Sequence, residues 1–252
     1  MAADGAVDLR SQIRRHLESL QAAGLLFVPD ASHAPLLLAT PQAPAEPVRQ
    51  VEAPVDSLET RRRELSLLTE EVAKCNKCSE LFSTRMQTVF GTGPIDPEVA
   101  FVGPAPGPEE DAQGEPFVGK GGQLLGRIIA ACGFTREHVY LFNAIKCRPP
   151  KNRLPTNTEC LNCRDFFRRQ FELVKPKYLV ALGEFVSRAL TGQNATLATL
   201  RGSVREYRGV PLICTHHPDD VEKDASGAKK RETWDDMKLL LRTMGRDVPT
   251  GK

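Results

Sequence analysis

The chain is short of several things. It has no hydrophobic run near the roughly 20 residues that a membrane-spanning helix requires. It has little excess charge: 34 Lys and Arg stand against 32 Asp and Glu, a formal net charge of +2. That excludes a globally basic nucleic-acid binder and leaves any such surface to local clusters. The first residues lack the apolar core of a signal peptide, so the cytoplasm is the expected compartment and no membrane partner is expected. Internal repeats are lacking too. What is present, 252 residues that are 40% hydrophobic, suffices for one globular domain of ordinary size with an appendage.

Seven cysteines are present. In a reducing compartment they suggest metal ligation and buried thiols, not a disulfide framework. Cys75 and Cys78 form one C-x-x-C, Cys160 and Cys163 a second. Two such pairs suit a tetrahedral zinc. Cys147 and Cys163 could instead join the first pair around a [4Fe–4S] cluster. Cys132 and Cys214 lie in apolar segments and read as core.

In chain order, residues 1–28 hold an amphipathic helix with Leu9, Ile13, Leu17 and Leu20 in one stripe, a candidate surface for a protein partner. Residues 29–56 are Pro/Ala-rich and read as a linker. Residues 57–248 form the globular domain. Asp56 and Glu59 make a capping pair for a helix running to about Lys74, and the arginines at 61–63 read as a solvated face. Strands are expected at Val99–Val102, Val139–Ala144 and Tyr178–Leu182, with a hairpin from Val204 to Thr215. Helices are expected from Gly122 to Gly133, Thr158 to Val174, Phe185 to Leu190 and Glu232 to Met244. The alternation predicts an α/β three-layer sandwich, a central mainly parallel sheet covered on both faces, with a tethered N-terminal helix.

The stretch from Val99 to Leu125 organises the rest. Gly103 ends a buried strand, and Pro104, Pro106 and Pro108 make the following segment a stiff loop barred from helix and ladder. Such a loop leaves the carboxyl end of a strand, where open α/β sheets bind ligands. Three acids, Glu109, Glu110 and Asp111, precede an aromatic, Phe117, set between Pro116 and two glycine turns. Strand, rigid loop, aromatic and helix together give a pocket a backbone floor, from Gly103 through Pro104 and Ala105 to Gly107, and a stacking wall.

This stretch resembles the first motif of family 4 uracil-DNA glycosylases, G-E-x-P-G-x-x-E-D-x-x-G-x-P-F-V-G-x-x-G-x-L-L. Gly103, Pro106, Gly107, Glu110, Asp111, Gly114, Pro116, Phe117, Val118, Gly119, Gly122, Leu124 and Leu125 fall on it. The motif's glutamate is Pro104 here. In lacking that carboxylate the loop is similar to another branch of the superfamily, which has G-L-A-P-G and still cleaves. Cys147 in LysCysArgProPro, with Cys163 sixteen residues on, resembles the family's cluster-binding pattern. The resemblance therefore implies Cys75, Cys78, Cys147 and Cys163 as ligands of a structural [4Fe–4S] cluster, with Cys160 a spare thiol.

The same resemblance implies an enzyme, a DNA N-glycosylase acting as a monomer on uracil-containing DNA. Phe117 would stack on the base and Asn143 would read its edge. His217, in a His-Pro motif with His216 as competitor, would stand beside uracil O2. With Pro104 in place of the glutamate, the water-activating carboxylate is missing unless Asp111 or Glu110 reaches in. Asp219 and Asp220 fall where relatives meet DNA and would repel phosphate. Two other readings are open: a non-catalytic iron–sulfur protein that binds DNA or a damaged base, and a zinc-stabilised α/β protein of unrelated function.

Overall fold

The computed structural model describes residues 57–249. The expected N-terminal helix, its linker and Asp56 lie outside the described residues.

The first helix, α1 (Leu58–Ala73), is capped by Ser57, whose hydroxyl oxygen accepts from the Thr60 N–H at 3.1 Å. The cap is thus one residue later than the expected Asp56 pair. Arg61 is not on a solvated face. It is buried, and its guanidinium pairs with Asp96 at 2.5 Å and donates to the Leu173 carbonyl. Leu68 and Val72 pack with Phe90 and Phe166, fastening α1 to the rest of the domain. A short helix, α2 (Ser79–Thr84), follows the first C-x-x-C and was not anticipated from the sequence.

Among the described residues five strands form one sheet: β1 (Val99–Gly103), β2 (Tyr140–Asn143), β3 (Tyr178–Leu182), β4 (Arg205–Tyr207) and β5 (Val210–Thr215). Their order is β2-β1-β3-β5-β4, parallel except for the β4–β5 hairpin. Period-two alternation divides β1 between two cores. Val99 and Phe101 pack on Leu125 and Ile129 of α4 (Lys120–Ala131) and on Met237, Leu240 and Leu241 of the last helix. Ala100 and Val102 face Phe167, Phe171 and Val174 of α5 (Asn157–Val174) and Val186 of α6 (Glu184–Thr191). The sheet is therefore covered on both faces, as expected.

Several boundaries differ from the sequence-based expectation. Pro108 does not prolong the loop; it opens a short helix, α3 (Pro108–Gln113), at the first helical position, where a missing N–H costs nothing. A four-residue helix, α7 (Leu197–Leu200), and α8 (Pro218–Glu222) precede α9 (Ala228–Thr243), which starts a turn before the expected Glu232. In the registers Gly103↔Asn143 and Leu182↔Thr215 the parallel strands end together. Gly103, Asn143 and the histidines after Thr215 are thereby delivered to one edge.

Candidate active site

The floor of the site is the end of β1 clasped to the end of β2. The Ala144 N–H donates to the Gly103 carbonyl at 2.8 Å, and the Ile145 N–H to that of Pro104 at 3.2 Å. A side chain at Gly103 would put a Cβ 2.7 Å from Phe117 Cζ and nearer still to Asn143 Oδ1. The bare backbone is what lets Phe117 and Asn143 converge. Asn143 is 2% exposed, and its Oδ1 has no hydrogen-bond partner among the described residues. Burying an unpaired amide oxygen costs about 1–3 kcal/mol, so such a group marks a position meant for a donor.

Phe117 has φ 56°, unusual for a residue with a side chain. Arg136 secures it: Nη1 donates to the Phe117 carbonyl at 3.0 Å, and Nη2 donates to the Pro116 carbonyl. From the other side, a Cβ at Gly122 would collide with the Phe117 carbonyl group, so only glycine admits the turn into α4. Arg136 lies in a three-residue 3-10 turn and carries no sequence signal of a role.

The acids are engaged. Glu110 Oε2 accepts from the Gly107 N–H, and its Oε1 from the N–H groups of Val118 and Gly119, each at 3.0 Å. It staples the two arms of the loop. Asp111 is 1% exposed. Its Oδ1 accepts from the N–H of Met86 at 3.0 Å and of Gln87 at 3.4 Å, and its Oδ2 from Met86 at 3.1 Å. Both carboxylates hold backbone, and the expectation that Asp111 activates water finds no support in this geometry.

The histidines separate. His216 turns to α9, with Nε2 2.5 Å from Glu232 Oε2. His217 caps α8: its Nδ1 accepts from the Asp219 N–H at 3.2 Å. That leaves the proton of the neutral ring on Nε2. The ring is tilted 36° to Phe117, with centroids 6.4 Å apart. Burial pushes its pKa below 6.5, against the opposing charges of Asp219, Asp220 and Glu110. Asp219 itself lies against Gly121 in the first turn of α4, where no Cβ would fit and where a negative charge meets the helix dipole.

Beside this pocket is an apolar cavity whose lining includes Cys75, Cys78, Cys147 and Cys163, but not Cys160. Ala105 of the motif loop packs with Cys78, Cys147 and Cys163, and Cys160 joins the same cluster. Arg85 Nη1 donates to Cys147 Sγ at 3.0 Å, while its Nη2 donates to the carbonyls of Cys75 at 2.8 Å and Ala73 at 3.2 Å. Asn162 Nδ2 donates to Cys78 Sγ at 3.4 Å. Four sulfurs, apolar walls and N–H donors aimed at sulfur fit a thiolate-ligated cluster. Among the described residues no group of three His, Cys, Asp or Glu side chains is placed to hold a metal ion.

Lys146 is buried between cavity and pocket. Desolvation draws its pKa down to about 7, opposed by the sulfurs of Cys163 and Cys147. Like Arg136 and Arg85, it is a part of the site that the sequence does not flag, since no sequence pattern shows which carbonyls its side chain will reach, here Asn143 three residues before it, or that it will meet Gln170 across the fold.

A model of the uracil DNA glycosylase superfamily matches residues 90–238. The chain is 37% identical to the type-4 uracil-DNA glycosylase of Thermotoga maritima, over 71% of this chain and 93% of that protein. It is 36% identical to that of Archaeoglobus fulgidus, over 73% and 94%. With that of Saccharolobus solfataricus it shares 44%, over 61% and 75%. Among the described residues no helix is long and apolar enough to cross a membrane.

Proposed function

Since the chain belongs to the uracil-DNA glycosylase superfamily, we propose that it is a DNA repair glycosylase that hydrolyses the N-glycosidic bond of uracil flipped out of DNA. The observation that carries this reading is the unpaired Oδ1 of buried Asn143, set beside Phe117 at the strand edge. Uracil supplies the missing donor. Its N3–H meets Oδ1 and its O4 accepts from Nδ2, while cytosine presents the opposite pattern on that edge. Phe117 stacks on the flipped ring.

The Nε2–H of His217 then serves the leaving group. Cleavage of the C1′–N1 bond places negative charge on the uracil, and a donor at O2 stabilises it where it develops. The sugar passes through an oxocarbenium-like state, and water adds to C1′ and loses a proton to solvent. Neither Glu110 nor Asp111 is free to assist that water. Pro104 has no carboxylate, and Glu110 and Asp111 are committed to backbone N–H groups. Base assistance is ordinarily a factor of about 10² to 10⁴, so the enzyme works without that gain.

Cys75, Cys78, Cys147 and Cys163 would hold a [4Fe–4S] cluster, which supplies a brace between the end of α1 and the loop after β2 and takes no part in the reaction. The test is single-turnover excision on oligonucleotides bearing uracil, hypoxanthine or no lesion. Release of uracil alone is expected. A wild-type protein that releases no uracil, whether or not it binds the strand, would overturn the reading.

A further inference from the structure

Lys146 stands between the base reader and the cysteine-lined cavity. It follows Asn143 by three residues and directly precedes Cys147. Its side chain turns inward and is 1% exposed. Nζ donates to the Asn143 carbonyl at 2.8 Å and to Gln170 Oε1 at 2.5 Å. Three rings surround the ammonium, Phe142 at 5.1 Å, Phe90 at 5.8 Å and Phe167 at 5.9 Å from centroid to Nζ. Gln170 is itself tied down, with Nε2 donating to the Phe90 carbonyl at 2.9 Å and the Tyr140 hydroxyl at 3.0 Å.

Both hydrogen-bond partners of the ammonium are neutral. A buried charge held this way costs stability, and an apolar side chain of similar length would fill the same cage at less cost. What a donor does here is satisfy Gln170 Oε1 and, on the side of the pocket, reach the Asn143 carbonyl. That carbonyl belongs to the Asn143–Ala144 peptide, whose N–H donates to Gly103 at 2.8 Å. The peptide is therefore gripped on both sides, by β1 and by Lys146. Its plane fixes the direction in which Asn143 leaves the strand, and among the described residues the side-chain amide has no partner at Oδ1 to aim it.

We propose that Lys146 is the positioning residue for base recognition: by fixing the Asn143–Ala144 peptide it aims the Asn143 amide at the uracil edge. This rests on Asn143 reading the base, as proposed above.

The test uses the full chain with its iron loaded. Lys146→Met keeps the stem and removes the donor. Tyr140→Phe, which removes the hydroxyl at the far end of the same network, is the structural control. Excision from a uracil-bearing single strand, affinity for that strand, inhibition by free uracil and iron content are measured for each. Lys146→Met is expected to slow excision on the order of 10²-fold, the usual cost of a small misplacement of a reacting group. Free uracil should inhibit it correspondingly less, while strand affinity and iron stay within about twofold of wild type. Tyr140→Phe should lower the thermal midpoint and leave rate and inhibition unchanged. Should Lys146→Met not fold, Lys146→Gln, a shorter neutral donor, is expected to fall between wild type and that loss. Wild-type rate and inhibition in whichever variant folds, or an equal loss in Tyr140→Phe, overturns the positioning role alone. A wild type that neither releases uracil nor binds the strand overturns the function on which it rests.

Discussion

Arg136 holds Phe117 in a backbone conformation that phenylalanine rarely takes. The guanidinium donates to the carbonyls on either side of the Phe117 Cα, those of Pro116 and Phe117, and φ at Phe117 is 56°. Residues so strained cost about 1–3 kcal/mol and persist where the surroundings enforce them. The clamp keeps the ring beside Gly103 and facing His217. Arg136→Met should therefore weaken uracil-strand excision by about tenfold or more, since charged hydrogen bonds of this kind are worth about 1.5–3 kcal/mol. The thermal midpoint should fall as well. Unchanged excision with an unchanged midpoint would show that Phe117 needs no clamp.

Asn143→Asp exchanges the amide donor for an acceptor. Recognition of uracil should weaken, and preference should move toward cytosine, whose N4 amino group a carboxylate accepts. Comparing excision from strands bearing each base decides this. Undiminished uracil release would remove Asn143 from the pocket.

At Pro104 the chain departs from the motif it otherwise follows. Pro104→Glu should raise the excision rate if Gly103 and Ala105 keep the loop in place, up to the factor of about 10² to 10⁴ that base assistance supplies. His217→Ala should remove most of the wild-type rate. If both wild type and Pro104→Glu bind the uracil strand and leave it intact, the protein is a binder and not an enzyme.

The pH dependence follows from His217. Burial lowers its pKa from 6.5, so the folded protein keeps the ring neutral at pH values where the unfolded chain has already taken a proton. Excision should hold as pH falls through 6.5 and decline only below the depressed value, where Nδ1 is protonated and can no longer accept from the Asp219 N–H. The unfolded state binds the extra proton within that window, so the stability due to this group is lost as pH falls from 6.5 to the folded pKa. His217→Gln should flatten that segment of the stability curve. NMR titration of the ring gives the pKa directly, and a midpoint at or above 6.5 would refute the assignment.

For the cysteine cavity, Cys147→Ser should lose iron and the charge-transfer absorption that goes with it, while Cys160→Ser should keep both. The measurement is iron content per chain. Iron kept in Cys147→Ser and lost in Cys160→Ser would return the site to the paired C-x-x-C arrangement.

The sequence by itself determined the layers and the strand edge. Apolar runs and helical stripes are local patterns, and Gly103, the prolines and Phe117 lie within one stretch whose spacing is legible without a structure. Tyr178–Leu182 came out residue for residue, because a short apolar parallel strand, buried from Leu179 to Leu182 and bounded by breakers, admits few other readings. The tertiary structure alone decided which polar groups are free. Glu110 and Asp111 sit in the motif as candidate bases, and only folding shows that the backbone at Gly107, Val118, Gly119 and Met86 uses both. His216 and His217 are neighbours in the chain, yet one goes to Glu232 and the other to the pocket. Lys146, Arg136 and Arg85 act through carbonyls and a sulfur at both short and long range along the chain. Periodicity reports which face of an element is apolar; it carries no information on where a long side chain finds its partner once the segments are brought together.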